Sequence, residues 1–532
     1  MIESSQNVNR TFHSAVPSPH NAVLRPTEPW EQGVALPFSG GIWWDDGVYK
    51  AWYSCGLSSN TTCFATSTDG ITFHKPDLGN GTNVVAGSAR HDGNVVWLDH
   101  EETDPARRFK IAEVRRCKPS SPRCDFRHFT LLSSADGTNW STVVSQSGVL
   151  ADRSTFYQDR FRRKFIYSIK TDPSAATPSS SGVNIGRARA YREAADLFGG
   201  SQWLGIPSIP FGTPYGRAGT NAPVPWTNSD ALDPHLQING SAVAFQPELY
   251  SLDAVSYESL TVGLLTILSC KHADDSRCPG PDRGHEFNQL FAAFTRNGFD
   301  WSRPPAPRVA LAPLNLSGCL PDAERCNDFN FEDSQSVGGG FVVHGDTLRI
   351  YVSGRTNEMR NSAVGFFEMR RCGFTSLAPS DVQEAASITT RKLHWSEPAE
   401  RYLFVNFDAG GGGGNLRVAV LDETGAVIAP FTAESCTAVR ANSTRAQVRW
   451  KHGGALPTGR TVRLRFIWGG SSPAARITDR LRKRRGKTPG SKLGKLCVTL
   501  QAQLLLLVPR QHTNSNLRRA PSRWHRTGRA AG

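Results

Sequence analysis

One unit of about 70 residues is written five times along this chain, and that repetition constrains the fold more than any other feature. Each copy starts with a polar or Gly-rich entry, runs into an aromatic strand, turns at Asp or Gly, and returns through a second strand carrying Tyr and Ser. The first has Gly40-Gly41-Ile42-Trp43-Trp44, a turn at Asp45-Asp46-Gly47, and Tyr49-Lys50-Ala51-Trp52-Tyr53-Ser54. It closes at Ser67-Thr68-Asp69-Gly70-Ile71-Thr72-Phe73, and Ser134-Ala135-Asp136-Gly137-Thr138-Asn139-Trp140 and Thr295-Arg296-Asn297-Gly298-Phe299-Asp300-Trp301 close the second and fourth in the same way. The third copy puts a region around Asp196 to Trp203 in that place, and the fifth finishes near Cys372-Gly373-Phe374. Short strands joined by Asp-Gly or Asn-Gly turns are antiparallel hairpins, because those dipeptides supply positive φ cheaply. Five such sheets fit an all-β, five-bladed β-propeller over 26–390, in which radial repetition leaves few exposed edges. A large irregular β-sandwich is the competing architecture. Residues 1–25 read as an N-terminal arm.

The texture changes near Arg391. Short strands with period-2 alternation, such as Leu416-Arg417-Val418-Ala419-Val420-Leu421 and Val462-Arg463-Leu464-Arg465-Phe466, predict a small β-sandwich module over 391–470. Residues 471–532 then form a basic tail of low order, with 15 basic residues and one acid, Asp479. The formal charge of +14 belongs to this tail, since 1–470 holds 46 basic and 46 acidic residues. Nucleic-acid binding is therefore an expectation for the tail alone. The tail also interrupts the last module before it closes, which favours a non-native reading frame or an unspliced end over a native arm.

Eight of the 11 cysteines fall into couples seven or eight positions apart: Cys55 and Cys63, Cys117 and Cys124, Cys270 and Cys278, Cys319 and Cys326. That gap exceeds the spacing of a zinc knuckle and suits local disulfides. Seven Asn-x-Ser/Thr sequons, at Asn9, Asn60, Asn80, Asn139, Asn239, Asn315 and Asn442, agree with a secreted protein or one of the secretory-pathway lumen. The polar start Met1-Ile2-Glu3-Ser4 has no apolar signal core, so the N-terminus is expected to be incomplete. No apolar run reaches the ~18 residues of a membrane span.

Propeller chemistry sits where the inner strands converge on the axis. The residues at those entries are Ser39; His91, Asp92 and Asn94; Asp152 and Arg153; Asp253; and Glu332, Asp333 and Gln335. Carboxylates facing each other across a cleft suit glycoside hydrolysis, one protonating the leaving oxygen and another attacking or activating water. Asp253 stands out because it interrupts an apolar strand, where an unpaired charge is costly. Asp152 and Asp253 are the expected acid and base or nucleophile, and Asp92 the residue that orients substrate. His91, Asn94, Arg153, Glu332, Asp333 and Gln335 are the expected substrate contacts. Asp92 beside Gly93 also reads as a turn former, and Asp152 beside Arg153 as an ion pair stapling two blades. The aromatics Trp43, Trp44, Trp52, Tyr53 and Tyr157 read mainly as packing between blades. No metal or organic cofactor is expected, and no phosphate loop, dinucleotide fingerprint or serine-hydrolase elbow occurs.

The segments Gly47-Val48-Tyr49-Lys50-Ala51-Trp52-Tyr53, Asp152-Arg153-Ser154-Thr155-Phe156-Tyr157, Leu252-Asp253-Ala254-Val255-Ser256-Tyr257-Glu258-Ser259-Leu260 and Gln335-Ser336-Val337-Gly338-Gly339-Gly340 resemble bacterial proteins related to the glycoside hydrolase family 32 N-terminal domain. The resemblance covers roughly 25–470. It implies a five-bladed propeller followed by a β-sandwich and a glycosidase or fructosidase relative acting on an oligo- or polysaccharide, with an Asp nucleophile in an early blade. The chain departs from that family's pattern: the Trp-x-Asn-Asp-Pro, Arg-Asp-Pro and Glu-Cys motifs are absent, and Asp152-Arg153 runs in the reverse order. Fructan specificity does not transfer. A silent carbohydrate-binding or adhesive propeller is the alternative from another class.

Overall fold

In the computed structural model the chain is built almost wholly of antiparallel strands. The structure describes residues 2–56, 61–86, 91–116, 127–171, 187–203, 222–230, 232–233, 237–238, 241–242, 247–270, 286–313, 337, 340–354, 362–394, 401–409, 414–469 and 495–497. Five sheets follow one another in sequence, each a meander of adjacent strands. Blade one comprises Ala35–Asp45, Val48–Cys55, Thr61–Ser67 and Val84–Ala86. Blade two holds His91–Leu98, Phe109–Arg116, Arg127–Ser134 and Ser141–Val144, and blade three Thr155–Asp159, Lys164–Thr171, Ala188–Ala194 and Val224–Thr227. Blade four has Glu248–Tyr257, Leu260–Cys270 and Glu286–Thr295. Blade five has Val342–His344, Thr347–Gly354 and Ala363–Arg370, and takes its outermost strand, Val16–Pro17, from the start of the chain. The apolar clusters run across neighbouring sheets, joining blade four to five through Leu264 and Ile350, and blade five to one through Tyr351 and Ala51. The last blade thus meets the first.

Three of the seams share one device. In the closing turn of blade one, Asp69 Oδ1 accepts from the Ile71 and Thr72 amides at 2.7 and 2.8 Å, and the Ser67 hydroxyl accepts from the Gly70 amide at 2.9 Å. Ser134, Asp136 and Gly137 repeat the arrangement in blade two, and Thr295, Asn297 and Gly298 in blade four. Each turn needs a glycine: φ is +71°, +84° and +73° at Gly70, Gly137 and Gly298. The glycine carbonyl then accepts from an aromatic of the preceding blade. Tyr351 reaches Gly70 at 2.8 Å and Trp52 Nε1 reaches Gly137 at 2.7 Å. Tyr157 reaches Gly298 at 3.3 Å. Trp52, Tyr157 and Tyr351 are fully buried there, as packing between blades requires. Seam four-to-five differs, the Tyr257 hydroxyl accepting from the Cys372 amide at 3.2 Å, with Cys372 at φ 56°.

The β-sandwich draws on distant parts of the chain. One sheet orders Ile2–Gln6, Ala385–Thr390, Arg463–Gly469 and Leu416–Leu421. The other orders Val8–Phe12, Thr375–Pro379, Lys495–Cys497, Phe404–Asp408 and Ser443–Gln447. Ile388, Phe407, Val418, Trp450, Phe466 and Trp468 fill the space between them. Residues 1–25, which read as an arm, thus carry two sandwich strands and one propeller strand, and sandwich strands already appear before residue 391. The alternation of Val8-Asn9-Arg10-Thr11-Phe12 is too short to reveal partners near residue 377. Of the basic segment 471–532, the described residues are Lys495–Cys497, a strand between Thr375–Pro379 and Phe404–Asp408.

The seam makes a quantitative prediction. A Cβ on Gly137 would lie 2.4 Å from Trp52 Cζ2, whereas one on Gly47, also at positive φ, would meet nothing within 4 Å. Gly137→Ala should lower unfolding free energy by about 2–4 kcal/mol, and Gly47→Ala by about 1 kcal/mol, the backbone cost alone. Urea denaturation of the two variants checks the difference.

Candidate active site at the propeller axis

Three of the inner strands carry an extra residue or more near the entry end. The register slips between Pro37 and Ile42 in blade one, between His91 and Asn94 in blade two, and between Leu249 and Ser251 in blade four. Such bulges turn side chains away from the regular pleat. Blade three has instead a left-handed residue, Arg153 at φ 56°, two positions before its inner strand. A non-glycine residue there is strained, and strain of this kind concentrates at functional sites.

Asp253 lies on the inner strand of blade four, in register with Leu264, and is only 6% exposed. Hydroxyls of Ser39, from the blade-one bulge, and Ser251 hydrogen-bond to it. Its Oδ2 is buried without a hydrogen-bond partner. Burial raises the carboxyl to about 6, against the opposing pull of Ser39, Arg189, Arg153 and Ser251. Asp152 is the opposite case. Burial pushes this carboxyl upward too, but Lys170 Nζ at 2.8 Å and the charges of Arg127 and Arg153 outweigh it and hold the group at about 2. Two carboxyls whose environments drive them apart are the usual signature of divided acid and base work.

Arg189 ties the two together. It is fully buried on the third strand of blade three and donates to the carbonyls of Arg153 at 2.7 Å, Ser168 at 3.4 Å and Tyr250. Burial lowers its guanidinium to about 10, while the fields of Asp253 and Asp152 oppose the fall, so it stays charged at neutral pH. Arg153 is likewise a neighbour of both carboxyls, and its Cδ runs beside Gly93 of the blade-two bulge. Thr155 Oγ1 donates to the Leu252 carbonyl at 2.6 Å, fixing blade three against blade four at this level.

The other expected residues divide. Asn94 is buried and donates to Thr62 across the seam between blades one and two, and its Oδ1 is buried without a hydrogen-bond partner. The side chains of His91 and Asp92 lie outside the described residues, as do Glu332, Asp333 and Gln335. Cys55 and Cys63 form a disulfide with Cα atoms 5.9 Å apart, joining the second and third strands of blade one; of the other three couples only Cys270 falls among the described residues, and its expected partner Cys278, with Cys117, Cys124, Cys319 and Cys326, lies outside them. Lys170, Arg189 and Ser251 were not among the expected site residues. Lys170 carries the same signal that marked Asp253, a charge beside an apolar run (Phe165 to Ile169), whereas Arg189 stands in a strand that also holds Arg192 and Glu193 and carries no such signal. Among the described residues no cluster of three or more His, Cys, Asp or Glu side chains is arranged to hold a metal.

No family model matches the chain, and no curated protein matches it. Several solved glycoside hydrolases align with it at low similarity. A glycoside hydrolase of the GH130 family of mannoside phosphorylases aligns at 13% identity over 68% of this chain and 94% of that one, with a TM-score of 0.37. A glycosyl hydrolase from Bacteroides ovatus aligns at 12% identity over 68% and 94%, TM-score 0.37. The Bombyx mori GH32 β-fructofuranosidase BmSUC1 aligns at 8% identity over 87% and 94%, TM-score 0.36. At these identities and TM-scores the chemistry has to be read from the residues themselves.

Asp253 carries a testable cost. Its folded-state value lies above the ordinary 3.8, so the folded protein holds this proton more tightly than the unfolded chain. Stability from this group is full below about pH 4 and is lost as pH rises through about 6. Asp253→Asn should therefore be more stable than the wild type at pH 7, by roughly 1–3 kcal/mol. Denaturant midpoints at pH 4 and pH 7 should show that advantage vanishing in acid.

Proposed function

We propose that the chain hydrolyses a glycosidic bond at the propeller axis, with Asp253 as general acid and Asp152 as general base or nucleophile. The opposed acidities of these two carboxyls carry the reading. Below about pH 6 Asp253 keeps its proton and can deliver it to the leaving oxygen, while Asp152, ionised above about pH 2, is ready to attack or to activate water. Arg189 and Arg153 hold the intervening field and resist protonation of Asp152. Asp92 is the proposed substrate-orienting residue, with His91, Arg153, Glu332, Asp333 and Gln335 as further contacts.

A secretory route fits this reading. The Cys55–Cys63 disulfide belongs to an oxidising compartment, and Asn9, Asn80, Asn139 and Asn442, the sequons among the described residues, are all exposed. No helix among the described residues is long and apolar enough to cross a membrane.

The test is a glycan panel followed by pH profiles. With the best substrate, kcat/KM should fall as pH rises through about 6. Asp253→Asn and Asp152→Asn should each lose at least about 100-fold, and the Asp253→Asn protein should also lose the alkaline limb. Sugar binding without turnover in the wild type would instead identify a silent binding propeller.

A further inference from the structure

The aromatics of the first repeat divide between two uses. Trp52 and Tyr53 are buried between blades, whereas Trp44 is 44% exposed. Trp44 stands beside the Asp45-Asp46-Gly47 hairpin tip, beyond Ser39 on the inner strand of blade one, and so at the end of the ring away from the strand entries. The turns at this end, 45–48, 99–108, 160–163, 258–259 and 345–346, all belong to the described residues.

Trp44 is held in place there. It pairs across the hairpin with Tyr49, so the two side chains share the face turned toward Tyr351 of blade five. Their rings meet edge to face with centroids 4.7 Å apart, which leaves at least one face of the indole uncovered by Tyr49. Tyr49 is buried and also supports His344, the last residue of the inner strand of blade five, through a 2.8 Å hydrogen bond between the phenol oxygen and Nδ1. The His344 ring is exposed, and its Nε2 is left as a hydrogen-bonding atom that Tyr49 does not use. Asp46, with its side chain 85% exposed, adds a carboxylate two residues from Trp44.

A flat apolar face flanked by a ring nitrogen and a carboxylate suits a pyranose, whose axial C–H bonds pack on an indole while the surrounding hydroxyls give and take hydrogen bonds. Other ligands fit less well. Asp46 and Asp346 occupy the two hairpin tips, and the cations beside them, Arg108 and Arg349, are paired with Asp45 and Glu368, so this face does not attract a polyanion. A protein interface needs a contiguous apolar patch, and the tips beside Trp44 read Asp46-Gly47 and Gly345-Asp346.

We infer that Trp44, His344 and Asp46 form a second sugar-binding site, at the end of the propeller opposite the strand entries, which takes a neutral saccharide unit of a polymer. This inference rests on the carbohydrate reading above and adds a site to it. A sugar held on Trp44 does not reach Asp253, so it anchors the polymer without being cleaved.

Affinity electrophoresis of the full chain through gels carrying laminarin, mannan, inulin or pectic galactan, beside polygalacturonate, tests it. At least one neutral polysaccharide should retard the wild type, and Trp44→Ala should weaken that binding about tenfold, the loss expected of one stacked aromatic. Trp44→Phe, which keeps a ring, should restore most of it. His344→Ala should weaken binding about two- to tenfold, and it serves as the test should Trp44→Ala not fold. Equal retardation of the wild type and both alanine variants would overturn the inference and leave the axial reading intact. Retardation by polygalacturonate alone, or by none of the gels, would overturn it too. Trp44-dependent retardation of a protein that hydrolyses none of these glycans would support the second site and count against the axial reading alone.

Discussion

One contact recurs at three of the five seams and sets the ring: an aromatic N–H or O–H of one blade given to the glycine carbonyl of the next blade's closing turn. It joins blade five to one, one to two, and three to four, with Tyr351, Trp52 and Tyr157 as donors. The contact works because three requirements coincide. A carboxylate or amide oxygen two residues after a Ser or Thr folds the turn, a glycine adopts the positive φ, and the missing Cβ lets the ring come close. Buried ring donors need partners, and turn carbonyls need donors. At these three seams one blade satisfies its neighbour's deficit.

Where the blades meet at the centre, the demands reverse. The ring donors of three seams are satisfied, whereas the axial end keeps an orphan acceptor on Asp253, an orphan donor on Arg189 and a left-handed Arg153. Each of these is unfavourable for stability, and they share one small region supported by inner strands that the seams hold rigid. Preorganised polarity of this kind stabilises charge that develops during a reaction.

Much of the ring was legible from sequence because its rules are local. Ser67-Thr68-Asp69-Gly70 and its two relatives announce the closing turns within four residues, and Trp52, Tyr157 and Tyr351 stand in the aromatic strands of the repeat. Asp253 was legible as a charge in an apolar strand, and the upward displacement of its pKa follows from the burial that this implied. What escaped is non-local. Nothing near Ser39 announces that it meets Asp253 from another blade, and Lys170 and Arg189 belong to the second and third strands of blade three, whose neighbours are set by the twist of that sheet. The pairing of Ile2–Gln6 with Ala385–Thr390 was hidden for the same reason.

That last pairing sets an order of events during synthesis. The chain's first strands find their partners about 370 residues later, as when the Asn7 side chain caps the turn at Asp381. Blades one to four can assemble as they leave the ribosome, but the opening residues must wait, unpaired, until the sandwich strands emerge. Such distant contacts are slow to form and expose strand edges meanwhile. Once made, they clasp the ring through the sandwich, adding to the direct pairing of Val16–Pro17 and Leu24 with blade five.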